Sequence, residues 1–529
     1  MKNSENQRSH ITRHLSAIAA TTSENLKWRK PMAYDLVILN GRVIDPDSGL
    51  DAIRNVGIRG GTIAAVTEKS ISGIESIDAA GLVVAPGFID MHHHNSAVPF
   101  GEKVALRDGV TSPLELEAGV SPVADWYNRC EGKCRSNYGA TVGTIAARER
   151  TFNPAYQTVF AGDTVYDLMA APKQSNSTGK WSTQVPTADE ITKIGGYLEQ
   201  GLKEGAIGIG HCAGYMVGGS TTQESIIAQE LSGKFGRGVY IHARFSSQMP
   251  PTSGLLGFLE QMAAQEVYGG GLLLMHMTAQ ALAESQRALD LFDAARAKGI
   301  SILGEIYPYD FGGTIVGADY LHPDNYGPNM GRRISDIIET ATVTPLTQER
   351  YDELIKTAPT TNVMFYNATW ETVCQSLAHP TTVVGSDAFP YVMKSDGSPA
   401  LEWDVPFEDV NGHPRGAGTH AKFLKMVREK QVDIPLPLAI AKMTSMIADF
   451  LAENGIEQMK RKGRVQEDTD ADIVLFDPET VTDNSTMKDG GLASTGIPWV
   501  IVNGTVVVRD SENVNDVFPG QPIRAVVSG

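Results

Sequence analysis

The chain has 529 residues, 42% apolar and 20% charged, with 53 Gly and 27 Pro; this is ordinary globular composition and excludes a collagenous, coiled-coil or wholly disordered chain. Lys plus Arg number 45 against 62 Asp plus Glu, a net charge of −17, and with no local basic patch that field disfavours nucleic acid and other polyanions. No apolar run reaches the roughly 18 residues of a membrane span, and the four cysteines Cys130, Cys134, Cys212 and Cys374 are too few for a disulfide scaffold and suit a reducing, cytoplasmic compartment.

In chain order, residues 1–32 are polar and lack a good secretory apolar core. They read as a disordered tail; a weak targeting segment is the alternative, with Arg8, Arg13, Lys27, Arg29 and Lys30 for it and Glu5 and Glu24 against it. From Tyr34, short β runs alternate with turn signals: YDLVILNGRVID, NVGIRGGTIAAV and IDAAGLVVAP, with Asn40-Gly41 and Gly60-Gly61 where hairpins need positive φ. The same texture returns in ADIVLFDPETV (471–481) and WVIVNGTVVVRD (499–510). Strands at both ends need partners for their edges, so 33–85 and 459–529 are expected to pair into one small β-sandwich. Between them, over 86–458, runs such as AIGIGH (206–211), VYIHAR (239–244), LLLMHMT (272–278), ISILGEIYPY (300–309) and TVVGSDAF (382–389) alternate with helical stretches such as 281–299. That alternation predicts an α/β fold of the (α/β)8 TIM-barrel type. The long connection near 310–382 is expected to form a lid-like insertion over the barrel mouth.

The chemistry gathers at the ends of these strands. In GFIDMHHHN (87–95) alternation puts His92 and His94 on one side of the strand and His93 on the other. Two imidazoles on one face at the C-terminal end of a barrel strand are half a metal site. His242 and His276 stand late in their own strands, and Asp387 closes another, where an unpaired buried carboxylate would be costly without a metal or a hydrogen-bonding partner. Five ligand-type side chains at the ends of four strands are what a centre at a barrel rim requires.

The order of these segments resembles the amidohydrolase superfamily, and the details resemble its N-acyl-D-amino-acid deacylase branch, the D-aminoacylase and N-acyl-D-glutamate deacylase group. The likeness runs from Tyr34 onward: DLVILNGRVIDPDSG, APGFIDMHHH, DGVTSPLELEAG, EGAIGIGHCAGYMVGG, YIHAR, MHMT, IYPYD, GSD, HPRGAG (413–418) and ADIVLFDPETV. It implies a metal-dependent hydrolase of linear carbon–nitrogen bonds outside peptides, with one or two Zn2+ per chain or other divalent metals in their place. This chain has no lysine in the fourth-strand run AIGIGH, where many binuclear members carry a carboxylated one, and no second-strand cysteine. Its second strand offers Glu115 and Glu117 on one face. Glu117 is expected to be the bridge, with Glu115 the alternative. His92, His94 and Asp387 would then form one metal site and His242 and His276 the other, with Asp387 also the catalytic general base and acid.

For substrate binding, Arg244 lies on the face of His242, placed for a bidentate grip on a carboxylate; Tyr215 matches a position that the resemblance makes substrate-contacting, and Tyr307 and Arg148 are further candidates. Thr278 stands where the family often has lysine, Phe245 to Ser247 where it often has an acidic residue, and Thr144 where histidine is expected beside NYGATVG (137–143). Cys130 and Cys134 read as structural. The expected partner is a small-molecule amide; homo-oligomerisation stays open. The alternatives are a hydrolase of cyclic amides, imides or lactones, an amidase for an apolar amide, and, from another class, a non-catalytic scaffold on the same barrel.

Overall fold

Eight short strands pair in parallel and in sequence order in the computed structural model of the chain, which describes residues 33–527 apart from 171, 250 and 252. The expected tail, 1–32, lies outside the described residues. The strands are Phe88–Asp90, Val110–Val120, Gly139–Gly143, Gly208–His211, Gly238–Ile241, Gly271–Leu274, Ile302–Ile306 and Thr382–Val384. The last returns to the first through Ala388, whose N–H donates to His92 O at 3.3 Å and whose carbonyl accepts His94 N–H at 2.9 Å. The expected (α/β)8 barrel is borne out.

Period-2 alternation explains why these runs are almost wholly apolar. Leu272 and Leu274, with Val239, Ile241, Ile302 and Ile306, pack outward against Phe258, Leu289, Phe292 and Leu377 of the helices. Leu273, Tyr240, Leu303, Val383, Leu114 and Leu116 point the other way, and Ile447, Phe450 and Leu451 of helix Ser445–Glu453 join them. Two connecting helices start with reciprocal capping boxes, Thr187 with Glu190 and Thr221 with Glu224. The helix expected over 281–299 is Ser285–Arg296, because Leu282 at φ 51° interrupts the approach.

The terminal segments meet in one nine-stranded sheet, joined where Val83–Pro86 runs antiparallel to Ile473–Phe476. The sheet curls onto its own core, in which Leu36, Ile38, Val56 and Ile63 pack with Ile473, Leu475 and Ile501. The connection after the seventh barrel strand carries its own four-stranded antiparallel sheet, Phe311–Ile315, Asn362–Tyr366, Ile337–Glu339 and Thr344–Pro345. Helix Trp370–Ala378, which follows, packs on helix Ser285–Arg296 and the eighth strand. It is a barrel helix, so the inserted structure ends before residue 370.

Among the described residues no helix is long and apolar enough to cross a membrane.

Candidate metal centre and active site

The barrel floor is apolar; its upper rim is not. His92 and His94 follow the first strand, Glu117 lies within the second, His242 follows the fifth, His276 the sixth and Asp387 the eighth, and all six side chains are buried together.

Glu117 stands between two pairs of imidazoles. Its Oε2 lies 3.4 Å from His92 Nε2 and 3.5 Å from His94 Nε2. Its Oε1 lies 2.9 Å from His276 Nε2 and 3.4 Å from His242 Nδ1. Asp387 Oδ1 approaches His92 Nε2 at 3.3 Å and His94 Nε2 at 3.5 Å. One oxygen per histidine pair is the arrangement of a bridging carboxylate.

Glu115 is placed differently. Its Oε2 is 2.8 Å from His94 Nδ1, on the side of the ring away from the cluster, while Oε1 accepts the N–H groups of Ala118 and Gly119. The strand is irregular there: its register with the third strand shifts between Glu115 and Val120, and Gly119 takes φ +69°, which glycine adopts freely. Glu115 thus contacts His94 from behind the cluster while Glu117 faces both histidine pairs, and alternation alone could not separate the two carboxylates.

Glu305 does for His92 what Glu115 does for His94. Its Oε2 is 2.9 Å from His92 Nδ1 and accepts the His276 N–H at 2.7 Å, securing His276 in a left-handed conformation of φ 32°. With Nδ1 of both rings engaged, Nε2 is the nitrogen left to face the centre. Sequence reasoning passed over Glu305, although an acid inside the apolar run ISILGEIYPY was its signal. Replacing it by Gln is expected to lower metal affinity by about 10- to 100-fold. Competition with a chromogenic chelator reads this directly; unchanged affinity would reduce Glu305 to a packing residue.

The donor set fits divalent metal. His92, His94 and Asp387 form one group whose ligand atoms lie within 4.8 Å of one another, and His92, Glu117 and His276 form a second. His92 Nε2, both His242 nitrogens and Glu117 Oε1 are buried without a hydrogen-bond partner, an expensive state unless something else satisfies them. Electrostatics agree. Burial alone lowers the pKa of His92, yet Asp387, Glu117 and Glu305 outweigh it and raise the value to about 10. Burial pushes Glu117 and Asp387 up; the histidines pull Glu117 well below the usual carboxylate range, and Arg415 and His92 do the same to Asp387. A site that holds protons this strongly among carboxylates is one in which a divalent ion can replace them. Room for the fifth-strand ligand depends on Gly214, where a Cβ would stand 2.2 Å from His242 Cδ2.

A cavity opens over the cluster, lined on the barrel side by Tyr215, His242, Ser246, His276, Gln280, Tyr307, Asp387 and Arg415 and on the insertion side by Gly312, Gly313, Tyr320, Met330 and Phe365. Tyr215 and Tyr307 are thus on the wall. The Tyr215 hydroxyl lies 3.0 Å from Thr314 Oγ1 and accepts from Tyr320; Tyr307 accepts from Asn367.

Two residues expected to contact substrate do not line this cavity. Arg244 Nε lies 2.9 Å from Glu260 of helix Gly254–Tyr268, its Nε and Nη2 make no hydrogen bond, and it is not on the wall of this cavity. Arg148 is fully buried, pairs with Glu224 and donates to the carbonyls of Trp181 and Gln184; it ties barrel connections together. The cation that does line the cavity is Arg415 in HPRGAG, a motif noted without assigning its arginine a role. Arg415 starts helix Arg415–Arg428, reaches Asp387 Oδ2 at 2.8 Å, donates to Gly313 O at 3.1 Å and lies over the Tyr307 ring at 4.8 Å. Its Nε is buried without a partner.

No family model matches the chain. It is 27% identical over 506 residues to an N-acyl-D-glutamate deacylase of Alcaligenes xylosoxydans xylosoxydans, covering 89% of this chain and 93% of that protein. It is 25% identical over 507 residues to a D-aminoacylase of the same organism, covering 90% and 95%. Among solved structures it resembles an N-acyl-D-glutamate deacylase of Bordetella bronchiseptica complexed with zinc and a phosphonate inhibitor, with a TM-score of 0.72 at 23% identity over 93% of this chain and 100% of that one. The likeness read from the sequence is borne out along nearly the whole described length.

Proposed function

We propose that this chain is a metal-dependent amidohydrolase that removes the acyl group from an N-acyl-D-amino acid or a similar N-acylated amine. The observation that carries this reading is Glu117, with one oxygen toward His92 and His94 and the other toward His242 and His276, beneath a cavity that holds Asp387 and Arg415. His92, His94 and Asp387 would hold one divalent ion, His242 and His276 a second, with Glu117 shared. Imidazole and carboxylate donors suit zinc, and manganese, cobalt or iron share the ligand types. When bound, such ions lower the pKa of water toward neutrality and polarise a carbonyl.

The chain's own residues supply the rest. Arg415, with Nε unpaired, offers a charge-assisted hydrogen bond to the carboxylate of an N-acyl amino acid, which brings the adjacent amide beside Asp387. Asp387 Oδ1 accepts a proton from the attacking water and returns it to the leaving amine nitrogen, while Oδ2 stays on Arg415. Burial raises the Tyr215 pKa well above its ordinary value, so its hydroxyl remains a donor to an oxygen gaining charge on the cavity wall. The inserted sheet covers the mouth and limits water. Free cysteines and the acidic surface complete the reading as a cytoplasmic enzyme for small-molecule amides.

The test is a hydrolysis screen of the metal-loaded protein against N-acyl D- and L-amino acids, their amides, cyclic imides and lactones. Release of free amine from the linear N-acyl-D substrates is expected. Turnover confined to rings would replace this reading with a cyclic amidase.

A further inference from the structure

A second cavity, of about 390 Å3, is set among the connections that follow the first three barrel strands and shares no lining residue with the cavity over the metal ligands. Small-molecule sites run from about 300 to 1,000 Å3, so its size suits one compact ligand. Two acids on its wall are almost wholly buried, Glu102 of helix Pro99–Arg107 at 1% exposure and Asp163 at 3%. Each commits one oxygen to the backbone. Glu102 Oε1 accepts the Arg135 and Ser136 N–H groups and the Ser136 hydroxyl, and Asp163 Oδ1 accepts the Val165 and Tyr166 N–H groups. The second oxygen of each, Glu102 Oε2 and Asp163 Oδ2, has no hydrogen bond or ion pair among the described residues. Burial pushes both acids above their ordinary pKa, and Glu115 adds to the effect at Asp163. A buried carboxylate with no cation beside it is a costly group.

The remainder of the wall carries the other features of one ligand class. Trp126, Phe160 and Val98 give it aromatic and aliphatic surface. The Cys134 thiol, which donates to the Cys130 carbonyl at 3.5 Å, brings no charge. On the exposed side stand Arg129 and Lys133, with Glu402. Neither cation forms an ion pair among the described residues, and Arg129 donates one hydrogen bond, to the Val159 carbonyl at 3.4 Å. We infer that this cavity binds a free amino acid, with its ammonium at Glu102 and Asp163, its carboxylate toward Arg129 and Lys133 and its side chain against Trp126 and Phe160. An ammonium brings three N–H donors to carboxylate oxygens that have none. An acylated nitrogen is a neutral amide and leaves both buried acids without a cation. The cavity therefore takes the free amino acid and refuses its N-acyl form, so it answers to the product of the reaction proposed above and not to its substrate. The binding itself does not depend on what the metal centre hydrolyses.

The experiment is isothermal titration calorimetry on the full-length, zinc-loaded chain. The probes are leucine as each enantiomer, isoamylamine, which lacks the carboxylate, and isocaproate and N-acetyl-leucine, which lack the ammonium. Binding of at least one leucine enantiomer is expected. Glu102→Gln and Asp163→Asn keep the oxygen that serves the backbone, and each is expected to weaken leucine and isoamylamine by about tenfold or more, the scale of one lost charge-assisted hydrogen bond. Arg129→Ala combined with Lys133→Ala, both on the exposed side, is expected to weaken leucine and leave isoamylamine unchanged, a split that a folding defect would not produce. No leucine binding, or leucine binding that survives both acid substitutions, overturns the site. So does isocaproate or N-acetyl-leucine binding that matches leucine and is lost with the same substitutions. Leucine binding unmoved by the double substitution overturns the placement of the carboxylate. A chain that binds leucine as described and hydrolyses no N-acyl amino acid keeps this site and loses only the proposed reaction.

Discussion

Glu117→Gln is expected to yield a folded chain that purifies with almost no divalent metal and whose kcat/KM for N-acyl amino acids falls by about a thousandfold or more. The substitution keeps the shape of the side chain and removes only its charge, so the loss isolates electrostatics from packing. Both histidine pairs lean on this one carboxylate. The ring centroids of His92 and His276 are 5.2 Å apart and those of His242 and His276 4.5 Å, so divalent ions held there would repel each other without an anion between them. A thousandfold corresponds to about 4 kcal/mol of transition-state stabilisation, in keeping with the several kcal/mol a metal contributes at a reacting carbonyl. Glu115→Gln provides the contrast. That carboxylate sits behind His94, so its loss is expected to weaken metal binding about 10- to 100-fold without emptying the site. Metal analysis and steady-state rates on both variants decide the matter. A Glu117→Gln protein that keeps its metal and stays within tenfold of the parent rate would remove the bridge.

The contrast between these two acids also shows how far the sequence could be read. Ligand types at strand ends are legible because a barrel presents the C-terminal ends of its strands at one rim; His92, His94, His242, His276 and Asp387 follow from that rule without coordinates. Glu115 against Glu117 does not, because the irregular stretch at Gly119 gives the two side chains different jobs on what alternation calls one face. Arg244 misled for a related reason. Its position two residues past His242 says which way the chain alternates, but the helix that follows brings Glu260 against it, and no local pattern reports a partner sixteen residues away. Arg415 was hidden the other way round: it begins a helix beyond the eighth strand, outside any strand-end rule, and its distance to Asp387 emerges only when the barrel closes. The insertion was legible as a long connection, yet not as a sheet and helices whose Phe365, Tyr320 and Met330 roof the cavity.

The second large effect belongs to Asp387→Asn, which is expected to lower kcat by about 100- to 10,000-fold, the usual contribution of a positioned acid–base group, with a much smaller change in KM. Three contacts set this expectation. Oδ1 faces His92 and His94 while Oδ2 holds Arg415, so an amide in this place keeps the side chain's outline and loses its ability to take a proton. Glu117 still joins the two histidine pairs in the variant, and metal is expected to remain bound in good part. Arg415, buried and deprived of its counter-ion, then gains from any incoming carboxylate, so substrate should bind the variant at least as well as the parent. The pattern of low kcat with KM unchanged or lowered distinguishes loss of a proton carrier from loss of a binding group, which would raise KM. Steady-state kinetics alongside metal analysis measure both. A variant that turns over within a few-fold of the parent assigns proton transfer elsewhere; one that loses its metal along with its activity makes Asp387 a ligand first.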